Sequence, residues 1–204
     1  MKNVFLSASM IIVFFLISCK KESSTTGNST DPLKGSWKFL TMTAHTKVTS
    51  KYTDGGIANT EIATSDYTTY NGVGIISFSD GTVTAQGIGY SVDASVFASF
   101  YADGVFIDSL SIPFSATAPP TNSSGQYKII GTDSIYFPAG GIVSAGMPGS
   151  NNQQTMASGY KFHIVGDTLL SMTSSIAKDT LENLGGIMVA NRDEAAYTVK
   201  LRRQ

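Results

Sequence analysis

What most limits the fold of this chain is the rhythm of its turns. Asp54-Gly55-Gly56, Asp80-Gly81, Asp103-Gly104, Gly131-Thr132-Asp133, Gly166-Asp167 and Gly185-Gly186 cut it into short runs. Asp-Gly and Gly-Gly pairs supply the positive φ angles that a two-residue hairpin needs. A chain so punctuated pairs its segments as neighbouring antiparallel strands. The clearest case is residues 73–79, Asp80-Gly81, then residues 82–90, which reads as strand, type I′ turn, strand. Gly87 and Gly89 in the second of these mark a bulge or sharp bend, a device that curls a sheet into a barrel.

The remaining segments fill in around that hairpin. Residues 35–43 read as a first strand with Trp37, Phe39 and Thr41 facing inward. Residues 44–70 are rich in Thr and Ser and read as two polar rim strands joined at Asp54-Gly55-Gly56. In residues 92–101, Val92, Val96, Phe97, Phe100 and Tyr101 fit helical spacing, with Asp93 as a cap, as well as they fit a buried strand, and the balance is slightly toward a short helix. A strand over residues 105–114 is expected to stop at Pro113 and at Pro119-Pro120. A hairpin follows at residues 126–130 and 134–137, then a Gly-, Ser- and Asn-rich loop over residues 138–154. Residues 155–165 read as a strand with Tyr160, Phe162 and Ile164 on one face, turning at Gly166-Asp167 into residues 168–173. Residues 174–184 are the best candidate for a helix; a strand at 187–190, a turn at 191–194 and a final strand through Tyr197, Val199 and Leu201 complete the chain.

The N-terminus has a different character. Lys2 is followed by an apolar run over residues 4–17 that is too short for a permanent membrane span and reads as a secretory signal. Leu16-Ile17-Ser18-Cys19 resembles a bacterial lipobox, which implies cleavage after residue 18 and a diacylglycerol on Cys19. Cys19 is the only cysteine, so no intramolecular disulfide is available and stability rests on packing. Residues 19–31 contain no large apolar side chain beyond the cysteine and read as a flexible tether. Residues 32–204 form one domain. Glu22 between paired lysines and serines resembles a surface-display signal poorly, which points to the periplasmic side of an outer membrane.

Gly35-Ser36-Trp37 at the start of the first strand resembles the Gly-x-Trp motif of the lipocalin superfamily. The flank Leu33-Lys34-Gly35-Ser36-Trp37-Lys38-Phe39-Leu40 is similar to lipocalin-like domains of Bacteroidetes lipoproteins. The expected fold is all-β: an antiparallel up-and-down barrel of about eight strands, lipocalin-like, with one or two short helices. The resemblance further implies that an arginine late in the chain covers the Gly-x-Trp indole at the closed end of the barrel. Arg203 is in phase with the inward set of the last strand, and Arg202 is the fallback under a one-residue bulge.

For function, the residues exclude more than they assign. Only 14% of the chain is charged, and the formal net charge of −1 becomes −2 when Lys2 leaves with the signal, with 13 Lys and Arg against 15 Asp and Glu. That is no footprint for nucleic acid. His45 and His163 read as surface residues, no zinc, EF-hand or nucleophile-elbow motif occurs, and the carboxylates are mostly in turns, at Asp54, Asp80, Asp103, Asp133 and Asp167. No catalytic residue, metal site or cofactor is therefore expected. The expectation is a monomer anchored to the membrane through Cys19, and the lipocalin resemblance implies that it binds a small apolar or amphipathic molecule, with Phe39, Phe78, Tyr90, Tyr160 and Phe162 as lining. Two other readings stay open to these residues: first an interaction module with a filled barrel, meeting another envelope protein or a glycan through its loops, and last an enzyme, which would need a metal cluster or a nucleophile hydrogen-bonded to His45 or His163.

Overall fold

A computed structural model describes residues 31–139, 157–166 and 168–204. The expectations for the signal, Cys19, the tether up to residue 30, the loop from residue 140 to 154 and Asp167 fall outside the described residues.

Ten strands follow in chain order: β1 (Gly35–Asp54), β2 (Ile57–Thr68), β3 (Tyr70–Ser79), β4 (Thr82–Ala102), β5 (Val105–Gln126), β6 (Lys128–Ile130), β7 (Ser134–Phe137), β8 (Ser158–Val165), β9 (Leu169–Leu184) and β10 (Ile187–Arg203). They form one antiparallel sheet, within the compact unit Asp31–Gln204. β1 pairs along its length with β10. On its other side it meets β3 near the N-terminus of the strand and β2 beyond that. β4 then spans both β2 and β3 and carries β5 on its far side. From β10 the sheet continues through β9, β8 and β7 to β6. A single apolar core gathers Val83 and Tyr90 from β4 together with Ile135 and Phe137 from β7, so the sheet curls around one interior. Among the described residues no ladder joins β5 to β6.

The turn dipeptides are where the sequence places them. Asp80 and Gly81 have φ of 46° and 79°, and Asp103 and Gly104 of 48° and 78°, as a type I′ turn demands. Gly87, at φ 61°, sits in a stretch where the β4–β5 register slips twice between Ala85 and Tyr90.

Several expectations are corrected. The described residues form ten strands and not about eight. Among the described residues there is no helix: residues 92–101 are the distal part of β4 and residues 174–184 the distal part of β9. Residues 191–194 do not turn but run on within β10. β1 keeps Trp37 and Phe39 inward, yet a bulge between Phe39 and Thr41 shifts the alternation, so Met42 and Ala44 are buried in place of Thr41. Thr69 supports that bulge, its hydroxyl accepting from the Met42 amide at 2.8 Å and its carbonyl from the Thr41 hydroxyl at 2.7 Å.

The prolines do not end β5, which runs on to Gln126, because β5 is an edge strand. The Ser95 carbonyl accepts from the Ser65 hydroxyl on the β2 side, at 2.9 Å. Ser95 and Pro113 are therefore a non-hydrogen-bonded pair across β4 and β5, and the N–H that proline lacks would have faced the open edge. Pro113 thus blunts a free edge against unwanted pairing.

The sheet has two tiers. At the end of the sheet where β1 begins and β10 ends, buried side chains from eight strands, β1 to β4 and β7 to β10, pack on one another. Beyond Ala44 and Tyr197, the β1–β2, β4–β5 and β9–β10 hairpins continue as a single layer. One rung of cross-strand partners runs Glu182, Val189, Tyr52, Asn59, Ala102, Val105, so the three hairpins end level with one another.

Candidate functional site

The indole of Trp37 is fully buried and its Nε1 donates to the Leu33 carbonyl at 2.7 Å. The Arg203 guanidinium carbon lies 4.5 Å from the indole ring centroid, and its NH2 group donates to the Pro32 carbonyl at 3.0 Å. Trp37 and Arg203 are opposite in the β1–β10 register, while Arg202 pairs with Lys38 and is exposed. Around this pole the chain start is tied down. Asp31 accepts from the Leu33 amide at 2.9 Å and from the Tyr127 hydroxyl, and burial together with that carboxylate pushes the Tyr127 hydroxyl up. Lys34 donates to Asp80 at 2.8 Å; this bond raises the lysine and lowers the aspartate from their ordinary values.

The five residues expected to line a cavity lie in the core. Phe39, Phe78, Tyr90 and Phe162 are buried and Tyr160 packs against them. Their rings meet other rings: Phe39 and Tyr90 at 6.1 Å between centroids, Phe78 edge-on to Tyr127 at 5.3 Å, Tyr160 edge-on to Phe137 at 5.6 Å. A shallow depression of about 330 Å³ lies at the β4–β5 bulge, lined by Thr84, Ala85, Gln86, Asn122, Ser123 and Ser124. It is open, its lining residues are mostly of polar type, and none of the five aromatic residues reaches it. Asn122 is held there by accepting from the Gly87 amide at 2.7 Å.

His45 and His163 are both exposed. His45 Nδ1 contacts the Asp66 carboxylate at 2.5 Å across the β1–β2 ladder, which is an ion-pair geometry with no hydroxyl or thiol nucleophile in it. Among the described residues no three His, Cys, Asp or Glu side chains are grouped to hold a metal, and no helix is long and apolar enough to cross a membrane.

The feature that sequence reasoning missed is the distal tier. Cross-strand partners share a face, and Met42 and Ala44 point into the core, so Thr46, Val48, Ser50 and Tyr52 continue that same face outward. With them lie Phe100, Leu110, Val105 and Val189. Val48, Leu110 and Val105 are 38%, 45% and 66% exposed, so the apolar stripe of the core runs out into solvent. Residues 44–70 read as rim strands from their Thr and Ser content, and that was the available signal. That three hairpins would extend together followed only from register.

No protein-family model, curated protein or solved structure matches this chain.

Proposed function

We propose that this chain is a lipid-anchored envelope protein of lipocalin-like type that works as an interaction module. Its partner would be another envelope macromolecule, met on the distal three-hairpin sheet. The observation that carries this reading is the packing of the residues expected to line a cavity: Phe39, Phe78, Tyr90, Tyr160 and Phe162 belong to one apolar core, in which Phe39 meets Tyr90, Phe78 meets Tyr127 and Tyr160 meets Phe137 ring to ring. Ligand cavities are concave, largely apolar and bury most of their guest. The depression at the β4–β5 bulge is open instead and has none of these aromatic residues in its lining. Exposed apolar area of the kind the distal tier carries marks an interaction surface in a soluble domain.

Anchoring rests on the lipobox-like Leu16-Ile17-Ser18-Cys19. Radioactive fatty acid fed to cells is expected to label the wild type and not Cys19→Ser; equal labelling of both removes the anchor. For the interaction role, the chain is purified from cells and weighed by native mass spectrometry, and intact cells are cross-linked in parallel. The expected outcome is a chain without a small molecule, together with macromolecular cross-links that vanish when the three hairpins are trimmed. A stoichiometric apolar molecule retained by the chain, with cross-links indifferent to trimming, would restore the ligand-binding reading.

A further inference from the structure

The two faces of the distal tier carry their charges differently. On the face that continues the core, three successive same-face rungs hold Glu61, Asp108, Glu182 and Asp193 against one base, Lys178. No salt bridge reaches any of these four acids among the described residues. On the opposite face most charges are paired, and Lys51, opposite Ala190 and Thr60, is left in excess. Lys47 meets Glu194 at 3.6 Å, and Arg192 meets Asp179 at 3.4 Å and Glu194 at 3.3 Å. A protein surface that pairs most charges on one face and leaves the other acidic, with apolar side chains interleaved, is complementary on that second face to a partner that is basic and amphipathic.

Geometry narrows that partner. Glu182 lies on β9 and Asp108 on β5, the two outer strands of the six-strand layer, and Glu61 lies on β2 between them. Five strand spacings of ~4.8 Å separate the outer two acids by about 24 Å, which is the length of a helix of about 16 residues at 1.5 Å per residue. Between them lie Tyr52, Val189 and Phe100, with Val48 and Leu110 one rung closer to the core. A second copy of this chain fits poorly, since the same face on it would bring acid against acid.

Resting on the interaction reading above, we propose that the core-side face of the distal tier is a docking surface for a basic amphipathic helix. The helix lies across the strands, its apolar side on Tyr52, Phe100, Leu110 and Val48 and its Lys or Arg residues over Glu61, Asp108 and Glu182.

The test uses the chain from Lys20 onward, which keeps the whole compact unit Asp31–Gln204. The probe is a fluorescein-labelled 16-residue peptide with leucines on one helical face and lysines on the other, followed by anisotropy at low salt. Saturable binding is expected. It should weaken about tenfold or more in the triple variant Glu61→Gln, Asp108→Asn, Glu182→Gln, a change of about 1.4 kcal/mol, and should weaken as salt rises. Leu110→Ser should weaken it too, and Asp179→Asn on the other face should leave it unchanged. Unaltered Trp37 emission in each variant separates lost contact from lost fold.

The inference is overturned if the peptide with glutamate in place of lysine binds as well, or if the triple variant binds like wild type. It is also overturned if the protein alone sediments as a dimer that tightens when the acids are neutralised, since the occupant is then a second copy. In each of these cases the hairpin-dependent cross-links in cells stand or fall separately, so failure of the partner chemistry is distinct from failure of the interaction role.

Discussion

At the scale of single residues, the pole that holds Trp37 is where small changes should report most clearly. Arg203 contributes a cation over a fully buried indole and a hydrogen bond that ties Pro32 to the last strand. Because the guanidinium is itself exposed, the cation–π part is worth only about 0.5–1 kcal/mol, and the hydrogen bond adds a similar amount. Arg203→Ala is therefore expected to lower stability in chemical unfolding by about 1–2 kcal/mol and to shift the Trp37 emission as water gains access. Arg202→Ala, exposed and opposite Lys38, should change neither. Tyr67 reports in a different way. Burial pushes its hydroxyl up to about 12 from 10.0, with Tyr197 and Tyr90 adding to the shift. The folded state holds that proton more tightly than the unfolded chain, so the associated stability is whole below pH 10 and drains away as pH rises toward 12. Unfolding midpoints taken across that window should fall for the wild type. Tyr67→Phe, which keeps the ring edge-on to Phe114 at 6.4 Å, should fall less steeply. Tyr127 and Tyr160, also pushed up by burial, keep the slope from vanishing.

At the scale of strands and turns, the bulge in β1 depends on a glycine that faces it. A Cβ on Gly72 would stand 2.2 Å from the Leu40 carbonyl oxygen and 3.1 Å from a Phe39 ring carbon, so β3 would have to move off β1. Gly72→Ala should cost about 1–3 kcal/mol through overpacking. Gly104→Ala meets open space and should cost about 1–2 kcal/mol, from its left-handed backbone alone. Differential unfolding of the two, each paired with a proteolysis pattern, tells steric displacement from turn strain. Turns of this kind are also what the sequence states most plainly, because positive φ leaves a residue-level mark. Alternation is legible only where one face is dry. In β4, Val92 and Ala98 are buried, but Phe97 is half exposed on the other face, and aromatic residues on both sides mimic a helical period. In β9 beyond Ser174 both faces meet solvent, so nothing enforces a period of two, and the run of Lys178, Asp179 and Glu182 suits a helix equally well. The ladder to β10 decides there, through sixteen consecutive partners from Leu169 to Leu184 that no local propensity displays. The site was hidden for the same reason: Glu61, Asp108 and Glu182 are far apart in the chain and become one surface only through register.

At the scale of the whole molecule, folding and docking belong to different tiers, and this separation can be tested by removing one of them. Thr46 and Ser65, Val96 and Ile112, and Ile176 and Ala195 are directly opposite partners within their hairpins, on the face that continues the core. Each pair lies an even number of residues, counted along β1, β4 or β9, from the pair that closes its native turn: Asp54 and Ile57, Ala102 and Val105, Leu184 and Ile187. They therefore have the same hydrogen-bonded character, and an Asn-Gly dipeptide can close each one. Replacing residues 47–64, 97–111 and 177–194 by Asn-Gly removes the entire distal layer. Of the buried apolar side chains, only Ala98 and Val189 go with it, while Trp37, Phe39, Phe78, Phe137 and Leu201 stay. A domain whose stability comes from that core should survive the cut, with Trp37 emission unchanged and a loss of no more than about 2–3 kcal/mol, the scale of burying one or two apolar side chains. Its denaturant slope should fall in proportion to the surface removed. Peptide binding and hairpin-dependent cross-links should both be gone. A trimmed chain that fails to fold would show instead that the long hairpins are part of the folding unit, and that their exposed apolar face serves stability in an assembly and not recognition by a free-standing domain.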